Sequence, residues 1–77
     1  MFNKKKFNEA VLKSGYRRRY IADEMHIGYS NFKKRCQGVV DWKGPEIEAL
    51  KRILNLDGDD VMAIFFDEDL TSGQVNS

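Results

Sequence analysis

The sequence predicts an all-α fold, a compact five-helix domain in which helices 2 and 3 form a helix-turn-helix. Three observations predict it. Apolar residues recur three and four apart in five separate segments, the spacing of one face of a helix. Helix start and stop signals fall between those segments, at Ser14-Gly15, Gly28, Gly38, Gly44-Pro45, Asn55 and Asp57. The 77 residues, 42% of them hydrophobic, suffice for one small core and no more.

The first helix is expected from Lys5 to Ser14, with Phe7, Ala10, Val11 and Ser14 on one face and Gly15 as a left-handed cap. Lys4-Lys5-Lys6 opens it with the wrong charge for the helix dipole. Two readings stay open for these lysines, a solvated start and a basic arm touching phosphate. The second helix is expected from Arg17 to His26, with Ile21, Ala22 and Met25 facing inward. Arg17, Arg18 and Arg19 crowd its first turn, again against the dipole, so they form either a hydrated basic surface or a contact to an anion. His26-Ile27-Gly28 is the turn, with Ile27 plugging the core.

The third helix is expected from Tyr29 to Gln37 and closed by Gly38, with Phe32 and Cys36 inward and Tyr29, Ser30, Lys33 and Lys34 outward. Cys36 reads as a small core residue rather than a reactive thiol, and His26 as a turn residue rather than a ligand. Val39, Val40 and Trp42 are expected to pack over the edge of the core, since their apolar surface is costly to leave wet; base stacking by Trp42 is the weaker alternative. Gly44-Pro45-Glu46 opens the fourth helix, with Pro45 and Glu46 in positions its start tolerates or favours. Ile47, Leu50, Ile53 and Leu54 form its stripe, and Asn55 stops it.

Asp57 is the expected N-cap of the fifth helix, which runs to Phe66 with Val61, Ile64 and Phe65 inward. A calcium loop at Asp57-Gly58-Asp59-Asp60 fails, because Val61 and Met62 stand where a ligand and a glycine are needed. Met62 and Phe66 remain on another side and are candidate dimer contacts; chance exposure is the plainer reading. The domain is therefore drawn as 1–66, followed by an acidic and polar disordered tail, 67–77.

Composition excludes several classes. One cysteine, Cys36, and one histidine, His26, give neither a disulfide nor a four-ligand zinc site. No metal and no cofactor is expected. No signal peptide or spanning segment is apparent, so a cytoplasmic location without membrane contact is expected. There is no nucleophile–base set, paired-carboxylate pocket or phosphate loop, so an enzyme is not expected.

Charge is more informative. The formal net charge is only +1. Residues 1–43 nevertheless carry eleven basic against four acidic side chains, a net +7, and residues 44–77 carry two against eight, a net −6. Such asymmetry points to one face that meets a polyanion. Arg17 to Arg19 and the exposed side of the third helix lie in the basic part.

On these residues a family resemblance rests. Gly15 through Gly38, with Ile21, Ala22, Met25, Ile27, Phe32 and the closing glycine in place, resembles the helix-turn-helix of the phage Cro/repressor family. The resemblance extends through 44–56 to 57–66, where ILNLDGDDVMAIFF is similar to small phage and prophage regulators of low-GC Gram-positive bacteria. It implies double-stranded operator DNA as partner, with the third helix in the major groove. Arg18 would then clamp a phosphate, with Arg17 and Arg19 beside it. Gly28 and Tyr29 would open the third helix. Ser30, Lys33 and Lys34 would reach base edges, and Asn31 the backbone or a neighbouring base. A homodimer and a regulatory partner protein are further expected partners. Three departures stand out: His26 replaces the usual turn glycine, Arg18 a glutamine, and Arg35 an apolar residue, which places Cys36 inside instead. The alternative function is an antirepressor or antitoxin-like protein-interaction module on the same fold.

Overall fold

The chain before α1 is held down at once. In the computed structural model, which describes residues 1–67, the Asn3 N–H donates to the Ile64 carbonyl at 2.7 Å. Asn3 also caps α1, its Oδ1 accepting the Lys6 N–H at 2.9 Å. Five helices follow: α1 Lys4–Ser14, α2 Arg18–Glu24, α3 Tyr29–Cys36, α4 Gly44–Ile53 and α5 Gly58–Phe65. Helix α1 begins one residue earlier than expected, because Asn3 supplies an acceptor to its first turn. It packs against α5, while α2 packs against α3 and α4, and α4 against α5.

Every helix contributes to one core: Phe7 and Val11, Ile21 and Ala22, Phe32, Leu50 with Leu54, and Ile64 with Phe65. Trp42, on the α3–α4 loop, lies against Phe7, Phe32 and Phe65 at centroid distances of 5.6, 5.8 and 6.3 Å. Its neighbour in the expected covering, Val39, is 70% exposed. That corrects the reading of Val39: of the three residues expected to cover the edge of the core, Trp42 packs against it, Val40 is half-buried and Val39 lies outside. The Trp42 Nε1 is buried without a hydrogen-bond partner among the described residues.

Left-handed residues set the ends of four helices. Gly15 (φ 78°) follows α1 and Gly38 (φ 81°) follows α3. His26 (φ 59°) lies in the turn after α2, and Asn55 (φ 56°) just after α4. Helix α2 therefore stops at Glu24, two residues short of the expected His26, because a left-handed residue cannot continue a right-handed helix. Helix α3 ends at Cys36, with Gln37 as its cap. Asp57 caps α5 as expected, accepting from the Asp60 N–H at 2.8 Å while its own N–H donates to Asp60 Oδ2 at 3.1 Å.

Asp67 is a second correction. Drawn as the first residue of a tail, it is buried at 6% exposure. Its carboxylate accepts from Asn3 Nδ2 at 2.6 Å, and its N–H donates to the Met1 carbonyl at 3.0 Å. These two partners close the domain one residue later than drawn; the rest of the expected tail, 68–77, lies outside the described residues. Arg35, in a slot expected to be apolar, turns toward the start of α4. Its Nε donates to Glu46 Oε1 at 2.9 Å, with the two side chains 12% and 16% exposed. The same Glu46 oxygen accepts the Lys43 N–H at 2.9 Å.

Candidate nucleic-acid interface

The site begins with how α2 and α3 are joined. Four residues, 25–28, separate them. Met25 keeps a right-handed conformation, His26 reverses the chain, and Gly28 returns it to extended backbone (φ −65°, ψ 144°) as the N-cap of α3. Ile27 packs against the core as expected, and its N–H reaches back to the Ala22 carbonyl at 3.2 Å. Ala22 is 1% exposed between the two helices, where a larger side chain would push them apart.

Burial of Phe32 then fixes which side of α3 is outward. Ser30, Asn31, Lys33 and Lys34 are exposed, as is Gly28. No carboxylate pairs with either lysine among the described residues. Tyr29 departs from expectation. It was placed outward, but it is half-buried, because its ring lies nearly parallel to Phe32 (19°, 6.3 Å between centroids) and joins the core margin. Its other role is to carry charge. The Arg19 guanidinium sits 4.2 Å from the Tyr29 centroid and the Lys33 Nζ 5.8 Å from it, a cation–π arrangement that holds a cation of each helix over one ring.

Arg17 is exposed, immediately before α2. Arg18 is half-buried. Its Nη2 donates to Asn8 Oδ1 on α1, and its positive charge acts on the Cys36 thiol. Burial pushes the Cys36 thiol up from 9.0 to about 11, with Arg18 pulling in the opposite direction. The thiol is therefore protonated at neutral pH, consistent with its expected role as a small core-side residue.

Around Arg18 the structure opens a hollow of about 350 Å³, lined by Lys4, Asn8, Arg18, Tyr29, Lys33, Cys36 and Gln37. The hollow brings Arg18, Tyr29 and Lys33 together. Ser30, Asn31 and Lys34 lie on the adjoining surface of α3. Sequence reasoning missed Asn8 and Gln37, and left the three N-terminal lysines undecided. No periodicity links Lys4 to residues 14 and more positions away, so only packing of α1 beside α2 and α3 could reveal it.

Met62 and Phe66, the candidate dimer contacts, are 55% and 47% exposed. Among the described residues no group of three or more His, Cys, Asp or Glu side chains is placed to hold a metal ion, and no helix is long and apolar enough to cross a membrane.

No family model, curated protein or solved structure matches this chain.

Proposed function

We propose that the protein is a sequence-specific DNA-binding transcription regulator that lays α3 in the major groove of an operator. One observation carries this reading. The exposed side of α3 presents Ser30, Asn31, Lys33 and Lys34 next to the arginines at the start of α2, and among the described residues no carboxylate lines the hollow between them. A row of short polar and cationic side chains on a short, rigidly backed helix suits a groove lined by base edges and bordered by phosphates.

Roles divide by reach. Lys33 and Lys34 can donate to guanine O6 and N7, whereas Ser30 discriminates weakly. Arg17, Arg18 and Arg19 neutralise phosphate and fix the register of the helix without reading sequence. One domain of this size gives a modest interface, so tight binding calls for two copies on a two-fold site.

The test is a titration of the protein into labelled DNA from upstream of its own gene, with unrelated duplex as control, at two salt concentrations. Tighter binding to the upstream DNA, falling steeply with salt, is expected. Equal and weak binding to both overturns the reading.

The exposure of Met62 on α5 and of Phe66 just after it favours a second reading, an antirepressor or antitoxin-like module that binds another protein. Under that reading, replacing Lys33 and Lys34 leaves function unchanged, while Met62→Ser with Phe66→Ser abolishes it.

A further inference from the structure

The three lysines that open the chain are not equivalent in space. Lys6 faces a cavity of about 560 Å³ on the other side of α1, with Glu9, Lys13 and Asp60 among its lining residues. Lys4 lines the hollow with Arg18 and Lys33. A Cβ placed on Gly38 would stand 3.9 Å from the Lys4 Cδ, so the Lys4 stem runs past the C-terminal turn of α3.

Three helices thus each send one cation to the same hollow: Lys4 from α1, Arg18 from α2 and Lys33 from α3. Among the described residues no carboxylate lines it, whereas the cavity around Lys6 contains two. Like charges gathered without a counter-charge repel one another, and the repulsion is relieved by an anion between them. Arg18 is the group best prepared to hold one. A guanidinium has five N–H donors; Asn8 takes one. That leaves donors for a ligand on a side chain already fixed in position.

We propose that the Lys4–Arg18–Lys33 hollow seats one phosphodiester of the DNA backbone, with Lys4 as a phosphate-binding residue, Lys33 sharing its three N–H donors between that phosphate and a base edge, and Lys6 taking no part. The proposal rests on the DNA-binding reading above and adds α1 to the contact surface. A phosphate held here ties α1, α2 and α3 to one point on the strand and so sets how α3 enters the groove. The plainer role for Lys4 is to complement the carbonyls at the end of α3, which would act on stability rather than on DNA.

The experiment compares the parent protein with Lys4→Gln and Lys6→Gln, which remove the same charge from the same helix. Affinity for one duplex is measured between about 50 and about 200 mM salt, alongside thermal melting. Each phosphate contact contributes about 0.9 to the salt slope. Lys4→Gln is therefore expected to lose about threefold less affinity than the parent over that fourfold salt range, with its melting temperature unchanged, while Lys6→Gln follows the parent. If Lys4→Gln keeps the parent's salt dependence, or weakens binding only as it lowers the melting temperature, the hollow is not a phosphate site although DNA binding stands. If the parent binds no duplex, the DNA-binding reading falls, and the proposal with it. A further arm adds inorganic phosphate at matched ionic strength. Displacement of DNA no greater than by chloride is expected; strong displacement by phosphate would assign the hollow to a free anion instead.

Discussion

Lys33 is the residue on which the proposed readout depends most. It projects from the outer side of α3 while its Nζ stays 5.8 Å from the Tyr29 centroid, so its stem is guided by a ring that the core itself holds. Under the proposed function, Lys33→Ala costs about 1–3 kcal/mol at its base and relaxes specificity there. Competition binding with single-base operator variants measures this; unchanged discrimination at every position would refute the assignment. Cys36 makes a prediction of a different kind. Its folded-state thiol is raised by burial from 9.0 to about 11. Between these values the unfolded chain gives up the proton and the folded chain keeps it, so the unfolded state binds fewer protons and stability falls as pH rises through this window. Below it the contribution is fully present. Urea midpoints measured from about pH 8 to about pH 10.5 should therefore drop more for the parent than for Cys36→Ala.

At the scale of elements, length governs. Helices α2, α3 and α5 have seven or eight residues, too few to persist alone in water. Their ends are set by caps and by burial. Asp57 and Asp60 satisfy each other at the start of α5, which the Asp57 side chain made legible in advance. The end of α2 was less so. Ile21, Ala22 and Met25 have helical spacing up to the turn, and nothing in that spacing says that His26 will adopt φ 59°. The resemblance to a family with glycine at that place was the available signal. A non-glycine residue in this region costs roughly 1–2 kcal/mol, part of which glycine returns as a more flexible unfolded chain. His26→Gly is expected to stabilise the domain by about 0.5–1 kcal/mol in chemical denaturation. A destabilised variant would mean that the imidazole makes an interaction worth more than the strain.

For the whole molecule the decisive quantity is the size of the core. A domain this small gains only about 3–5 kcal/mol from its core, and Phe7 is at its centre, 0% exposed. Its ring meets Phe2 at 5.5 Å, Trp42 at 5.6 Å and Phe65 at 6.3 Å. Truncating a buried phenylalanine costs about 3–5 kcal/mol, as much as the whole. Phe7→Ala is thus expected to be largely unfolded at 25 °C by far-ultraviolet circular dichroism, while Leu12→Ala, at a position 78% exposed, keeps the parent's helicity. The same core explains why the expected boundary at residue 66 moved to 67. Once α5 docks on α1, Asn3 and Met1 stand beside the end of α5 and Asp67 meets both.

What the sequence by itself determined is the set of five helices, the inward residue of each stripe and the concentration of positive charge in the first 43 residues. These follow from local properties, a period of 3.6, capping side chains and a count of charges, which need no knowledge of neighbours. Tertiary structure alone decided that Lys4 joins Arg18 and Lys33 while Lys6 turns away, that Tyr29 lies against Phe32 beneath Arg19, and that Arg35 is consumed by Glu46. Each joins residues from different elements or chooses between two sides of one helix. Such choices are made by which surfaces pack, and a one-dimensional period carries no record of them.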